Sequence, residues 1–257
     1  MPTLKKQGMT IAATSAPGNF MLRMNTTSGP GTNKAFRQAL GAAIDRNSFV
    51  NIAGGGVSQP TCSIYLPGSS VYDPAIETTC GFDLERAKSL LAKSALQTPV
   101  AITLDTSDVR QPELAAFAPV LQQDLAKVGI NLEINAIAPT LLGERVQTGQ
   151  YQIQTDWYPW GNLDPALLFI TRTFAPDLTL EKFTDPAYTQ LVLAAQGEVD
   201  QGARLEAYKK LNAYMVDQAF VLPIASRPYI HAVRPGVAGF SMDPLGMVDA
   251  AGVTVGN

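Results

Sequence analysis

The sequence is short of the side chains that most often carry enzyme and metal chemistry. Its 257 residues include one histidine and two cysteines. His231 lies in an apolar, alternating segment with no cysteine or acidic residue at ligand spacing, and neither G-x-S-x-G nor H-E-x-x-H occurs. We therefore expect a structural role for His231, and a protein that is not an enzyme and holds neither a metal nor a cofactor.

Charge and long apolar runs are scarce too. Charged residues make up 16% of the chain, and 19 basic against 22 acidic side chains leave a net charge of -3. The basic residues are scattered, so nucleic acid is not expected as a partner. No apolar run approaches the roughly 20 residues of a membrane-spanning helix. The lysine pair Lys5–Lys6 is not followed by an apolar stretch, so this chain is expected to carry no signal peptide.

The two cysteines, Cys62 and Cys80, flank a segment rich in proline and glycine. A disulfide closing a loop of this length stabilises a fold by about 3 kcal/mol in the chain-entropy model. We favour this disulfide because the irregular segment has little else to hold it, and a disulfide suits an oxidising compartment. Two buried free thiols remain the alternative.

Apolar periodicity predicts an α/β fold. Alternating apolar residues at 100–104 and 130–134 predict two strands, and steps of three and four at 111–127 predict the helix between them. This order is typical of a βαβ unit in a parallel or mixed sheet. Further strands are predicted at 9–14, 19–26, 151–153, 220–225 and 228–233. Further helices are predicted after Asn33 and Asp83 and at 47–53, 139–148, 164–171, 185–196 and 201–218.

Several segments together resemble one protein family. The segment RQALGAAIDR, Arg37 to Arg46, is similar to a helix signature of the family 5 extracellular solute-binding proteins, which deliver peptides, nickel chelates and oligosaccharides to ABC importers. The resemblance covers nearly the whole chain in the family's order. It also includes DLERAKSLL (83–91), QQDLAKVGINLEI (122–134), the segment 156–165, the helix 205–215 and GVAGFSMDPLG (236–246).

The resemblance implies a fold and an organisation. It predicts a periplasmic-binding-protein-like type II lobe, with a mixed sheet flanked by helices. Residues 1–29 would be strands of a missing first lobe or hinge, 30–222 the distal α/β lobe, and 223–257 return strands and a tail to the first lobe. The implied partners are a small solute (a peptide, an oligosaccharide or a chelate), an ABC permease and an N-terminal lobe. The implied location is periplasmic or extracellular, associated with the cell surface in the full-length family.

The segment DWYPWGNLDP, 156–165, is the candidate wall of the ligand cleft. In the family, two lobes close over the solute, and aromatic rings with a few polar groups set specificity. The candidate ligand-binding residues are Trp157, Tyr158, Trp160, Gly161 and Asn162, because the cluster follows a predicted strand, where α/β ligands collect. Alternatively, one of the tryptophans fills the core.

The resemblance also contains one departure. The family's peptide binders capture the peptide amine with an aspartate where this chain has Gly161, which weakens a peptide assignment and leaves room for neutral solutes. Asp164 is expected to cap a helix, and Arg172 to be a solvated cation at a helix end.

Two other functions remain open. One is a truncated or split interaction module without independent transport. The other, which is less favoured, is a carboxylate-based hydrolase that uses Asp105, Asp156 or Asp164.

Overall fold

The computed structural model describes residues 2–13, 18–158, 164–176, 180–243 and 246–256, with side chains from residue 4 onward. Within these residues, no helix has both the length and the apolar character that crossing a bilayer requires.

A five-stranded mixed sheet forms the centre of the structure. The strands of the chain are β1 (Thr10–Ala13), β2 (Gly18–Met24), β3 (Val100–Thr106), β4 (Ile130–Ala136), β5 (Ile153–Tyr158), β6 (Val221–Arg227) and β7 (Ile230–Val233), followed by four two-residue strands, β8 (Val237–Ala238), β9 (Ser241–Met242), β10 (Val248–Asp249) and β11 (Thr254–Val255). The order in the main sheet is β4-β3-β5-β2-β6. Strand β3 is parallel to β4 and β5, whereas β2 is antiparallel to β5 and β6.

Helices cover both faces of this sheet. The α-helices are α1 (Pro2–Lys6), α2 (Lys34–Ala42), α3 (Arg46–Ile52), α4 (Ala75–Thr79), α5 (Leu84–Lys93), α6 (Pro112–Val128), α7 (Pro139–Thr148), α8 (Pro186–Gly197) and α9 (Gln201–Gln218). Short 3-10 helices occupy Gly29–Thr32 and Pro165–Ile170. The predicted α/β class and mixed sheet are confirmed, and the predicted βαβ unit is β3-α6-β4.

The helix ends follow from local sequence. Helix α7 begins with Pro139, which needs no hydrogen-bond acceptor for its nitrogen, and ends before Gly149, whose φ of 74° suits a residue without a Cβ. Helix α5 begins after Asp83, whose carboxylate accepts from the backbone N–H of Arg86.

Strand β2 joins two hydrophobic cores, one on each face of the sheet. Its alternate residues Phe20, Leu22 and Met24 pack with side chains of α2, α3, α5 and α6. Met21 points to the opposite face and packs with side chains of α8, α9 and the second 3-10 helix. Every residue of β2 is buried, so this strand lies within the core of the lobe.

The position of β2 bears on the proposed division of the chain. A boundary at residue 29 assigns β2 to the hinge or first lobe, whereas its hydrogen bonds to β5 and β6 put it inside the distal lobe's sheet. A boundary at residue 222 likewise cuts β6 in two. We therefore propose that the distal lobe extends from about residue 18 to residue 227.

The long connection 57–82 is less irregular than its sequence indicates. It contains helix α4, and Cys62 and Cys80 form a disulfide beside it. Residues 59–61 follow the outer edge of β6, where Thr61 N donates to Ile224 O and Ser226 N donates to Gln59 O. The connection thus covers part of an edge that would otherwise expose backbone groups.

Candidate functional site

The carboxyl ends of four strands lie along one edge of the sheet. Strands β3, β4 and β5 are parallel, and β6 has the same direction because both β5 and β6 are antiparallel to β2. In open α/β sheets, this edge is where ligands collect. The strands end there at Thr106, Ala136, Tyr158 and Arg227, and the amino end of β2 lies between the last two.

Trp157 and Arg227 form a stacked pair at this edge. The Arg227 guanidinium carbon lies 4.1 Å from the centroid of the indole, within the range of a cation–π contact. The Phe20 and Tyr229 rings lie 5.9 and 5.8 Å from the same carbon. Arg227 has no ion pair with any described carboxylate. The pair therefore places a cation on an aromatic surface at the strand ends.

The position of Trp157 combines the two alternatives that its sequence leaves open. The indole is only partly buried, and it packs against the larger hydrophobic core while it carries Arg227. Tyr158, on the other face of β5, packs edge to face on Phe174, and its hydroxyl lies 2.5 Å from the Thr171 hydroxyl. Both rings are held by contacts within this lobe.

A buried polar network supports the same edge from below. The Thr155 hydroxyl donates to Gln111 Oε1 at 2.6 Å and lies 3.2 Å from the Thr106 hydroxyl. Next to Thr106, the buried Ser107 hydroxyl has no hydrogen-bond partner among the described residues. Buried hydroxyls usually find a partner, so Ser107 is a position where a ligand or a water would complete the bonding.

A buried charge cluster holds the end of β5 in place. Arg23 on β2 forms ion pairs with Asp156 on β5 and with Glu181. Burial raises the pKa of Glu181 to about 7, although Arg23 opposes this shift. Burial alone would lower the pKa of Arg23, but the two carboxylates raise it above its ordinary value. Asp156 also accepts from the backbone N–H of Trp157, so the cluster fixes the strand that carries the indole.

The other carboxylates considered for hydrolysis also have structural partners. Asp105 is buried and accepts from both Arg145 and Asn135. Asp164 caps the second 3-10 helix through Ala166 N and pairs with Arg204, and the Ala166 hydrogen bond lowers its pKa. Carboxylates with such partners position the fold, and this arrangement does not favour a hydrolase.

The described residues contain one close grouping of potential metal ligands. Cys62, Glu77 and Cys80 lie together. The two sulfurs are bonded to each other, and Glu77 accepts from the Thr61 hydroxyl and from Cys62 N. The grouping therefore anchors the connection. His231 lies on β7 with its ring 5.7 Å from that of Phe240.

The structure brings together part of the predicted site. Trp157 and Tyr158 lie at the strand ends, but they are the last two residues of β5, whereas the sequence predicted that they follow the strand. Trp160, Gly161 and Asn162 lie outside the described residues, so their contribution stays a prediction. Arg227 was missed. The sequence gives only a weak indication of its role, namely a basic residue just after the predicted strand 220–225. Its proximity to Trp157 becomes visible only when the strands are paired in the sheet.

Comparisons with known proteins agree with this fold. The solved structures similar to this chain are type II periplasmic binding proteins, and the chain forms one α/β lobe of that class. Residues 2–176 match the family model "Bacterial extracellular solute-binding proteins, family 5 Middle". The chain belongs to this family, whose members bind solutes outside the cytoplasm and are not enzymes.

Three proteins illustrate the relationship. The probable di/tripeptide-binding protein 5 of Pseudomonas aeruginosa is 26% identical over 98% of this chain and 48% of its own length. The dipeptide-binding protein of Pseudoalteromonas sp. SM9913, solved with Met-Leu, has a TM-score of 0.85, 22% identity, and coverage of 100% of this chain and 52% of its own. NikA of Staphylococcus aureus, solved with Ni(L-His)2, has a TM-score of 0.82, 22% identity, and coverage of 99% and 55%. The chain spans about half the length of these proteins.

Proposed function

We propose that this chain is the C-terminal lobe of a substrate-binding component of an ABC importer. A small solute, a peptide or another compound, would be held between this lobe and a first lobe, and then passed to a permease. The localisation that fits this role is periplasmic or extracellular. Family membership supports the class of function, and similar proteins that bind dipeptides or a nickel chelate support a small solute.

The observation that carries the proposal is the Trp157–Arg227 pair at the carboxyl ends of four strands. The indole offers a flat apolar surface, and Arg227 offers donors to an anionic group such as a peptide carboxylate. We propose that Tyr158, Trp160, Gly161 and Asn162 complete the same wall. Arg227 would then compensate in part for the aspartate that the family's peptide binders carry at position 161, by fixing the opposite end of a peptide.

A fluorescence titration tests this proposal directly. The chain contains two tryptophans, and both belong to the proposed wall, so tryptophan emission reports on that wall once any tryptophan of the first lobe is replaced by phenylalanine. The chain joined to its first lobe is titrated with dipeptides, oligosaccharides and nickel chelates. We expect one class of solute to change the emission saturably, and no change with this chain alone, because half a cleft leaves the solute hydrated.

One variant and its matched control test whether Arg227 belongs to the wall. Arg227→Gln should weaken binding of an anionic solute by about tenfold or more, the loss expected for a charge-assisted hydrogen bond. Arg234→Gln is the matched control, since Arg234 is exposed and lies seven residues further on. If no solute changes the emission of the two-lobe protein, the proposal is wrong, and the interaction module becomes the better interpretation. Equal binding by this chain alone would also refute the two-lobe cleft.

A further inference from the structure

A cavity lies at the other end of β6, away from the proposed cleft. Its volume is about 560 Å³, and it opens between α2, α9 and the disulfide-bonded connection. Its floor includes Leu222 and Pro223 at the start of β6, whereas Arg227 ends the strand at the cleft edge. At about 3.3 Å per residue, roughly 16 Å of strand separate Leu222 from Arg227. The cavity is therefore a separate place from the proposed solute cleft.

A buried cation lines this cavity. Arg46 is 8% exposed, and its Nε donates to Pro223 O at 2.9 Å and its Nη1 to Cys80 O at 3.0 Å. The Nη2 group has no hydrogen-bond acceptor among the described residues, and no described carboxylate forms an ion pair with Arg46. A buried guanidinium with one nitrogen left unbonded can still donate a hydrogen bond to a bound anion.

A second guanidinium faces the same cavity. Arg86 donates from Nη1 to Thr79 O and from Nη2 to Gly81 O at 3.0 Å, while its buried Nε has no partner among the described residues. Burial is the main cause that lowers the pKa of Arg46 to about 10; Glu77 opposes the shift, and Arg86 contributes a smaller lowering. Both guanidinium groups thus line one partly enclosed space, and each has a nitrogen without a hydrogen-bond acceptor among the described residues.

The carboxylates at the cavity are already engaged. Asp217 pairs with Lys34 and accepts from Gln38, and Asp73 accepts from the backbone N–H of Ala75. Glu77 accepts from the Thr61 hydroxyl and from Cys62 N. None of the three carboxylates forms an ion pair with Arg46 or Arg86, although Glu77 attracts Arg46 electrostatically.

The remaining wall is largely apolar. It includes Ala42, Leu90, Val216 and Leu222, contributed by α2, α5, α9 and β6. A cavity of a few hundred cubic ångströms with apolar walls and few polar groups is typical of sites for small molecules. We infer that it binds a small organic monocarboxylate, with the carboxylate at Arg46 and Arg86 and a short apolar chain against this wall.

Hexanoate is a suitable probe, and saturation-transfer NMR of the whole chain is a suitable measurement. Its carboxylate and five-carbon tail match the two parts of the cavity, hexanamide keeps the tail without the charge, and acetate keeps the carboxylate with only a methyl group. We expect saturable binding of hexanoate, and binding of hexanamide and of acetate that is weaker by about tenfold or more, because each lacks most of one of the two contributions.

Two variants tie the binding to this cavity. Arg86→Gln should weaken hexanoate binding by about tenfold. Ala213→Phe adds a ring at the cavity mouth on the exposed side of α9, so it should abolish binding without disturbing the core. Arg234→Gln is the control and should bind as the unaltered chain does. Thermal unfolding of each variant checks the fold, and Ala213→Phe alone decides the question if Arg86→Gln unfolds.

Three outcomes would overturn the inference. The first is the absence of saturable hexanoate binding. The second is equal binding of hexanamide, which would make the cavity an apolar site without selectivity for anions. The third is unchanged binding in Ala213→Phe, which would place the ligand elsewhere.

Discussion

Glu181 should make the stability of this protein depend on pH in an unusual direction. The carboxyl is fully buried and is faced by Arg23, Asp156 and Tyr151. Burial raises its pKa from 4.5 to about 7, and Arg23 opposes the shift. The folded protein therefore holds this proton more tightly than the unfolded chain does. The contribution of Glu181 to stability is fully present below about pH 4.5 and decreases as the pH rises to about 7.

The pKa difference sets the magnitude. A rise from 4.5 to about 7 corresponds to about 3 kcal/mol in the free energy of unfolding, lost across that range. Glu181→Gln cannot titrate, so the variant lacks this loss. We therefore compare the two proteins at each pH by subtracting the free energy of unfolding of the unaltered protein from that of the variant. This difference should increase by about 3 kcal/mol between pH 4.5 and pH 8, because only the unaltered protein loses stability over that range. Urea unfolding followed by circular dichroism at four pH values measures this difference.

The matched control is Glu133→Gln. Glu133 is an exposed glutamate on β4 with no ion pair among the described residues, so its substitution should leave the pH profile unchanged. The reasoning fails if the stability difference between the Glu181→Gln variant and the unaltered protein is the same at pH 5 and pH 8. It also fails if that difference changes with the opposite sign, since Glu181 would then be stabilised as a carboxylate by Arg23.

Reduction of the disulfide and two substitutions test the fold. Reduction of the Cys62–Cys80 disulfide, whose partners are 18 residues apart, should lower the unfolding free energy by about 3 kcal/mol in a denaturant titration with and without reductant. Phe117→Ala should cost about 3–5 kcal/mol in the same assay, because its ring is buried against Phe49. Asp185→Ala should cost about 1–2 kcal/mol at pH 7, since Asp185 caps α8 and accepts from the Tyr214 hydroxyl. That hydrogen bond lowers the pKa of Asp185, so the cost should decrease as the pH falls through the lowered pKa.

Features with a local cause could be predicted from the sequence. Helix α7 has the bounds that its proline start and glycine end indicate. Helix α9 was predicted over the residues it occupies because its apolar residues recur at steps of three and four, and the structure adds a cap at Asp200. The parallel pair β3 and β4 follows from a strand, a helix and a strand of ordinary length. In each case the physical determinants lie within a few turns of chain.

Features that depend on distant pairing could not be predicted. Arg23 and its partners Asp156 and Glu181 are separated by more than a hundred residues, and no periodicity connects them. The place of β2 between β5 and β6 has the same cause, because an apolar strand fits equally well in several positions of a sheet. Helix α4 was missed because five residues are too few to show an amphipathic period.

The candidate site combines both kinds of feature. The aromatic segment around Trp157 is conspicuous in the sequence, and its position after a predicted strand suggested a ligand wall. Its strand proved to be longer, so that Trp157 and Tyr158 point to opposite faces of β5. Arg227 reaches the indole only because β2 brings β5 and β6 to the same edge. Composition therefore indicates which residues are suited to binding, and topology selects their partners.

The two-stranded ribbons near both ends of the described chain provide an independent argument for a second lobe. Among the described strands, β1 pairs with β7 alone, and the pairs β8–β11 and β9–β10 are shorter still. Isolated ribbons of this size are marginal in water, and these carry exposed apolar side chains at Ile230, Val248 and Val255. The main sheet, by contrast, has a core on each face. The chain runs from β1 to β2 and from β6 to β7. A first lobe that covered the β1–β7 ribbon would therefore be joined to this lobe by two segments of chain. Such a double connection would restrict the lobes to opening and closing over the edge that carries Trp157 and Arg227.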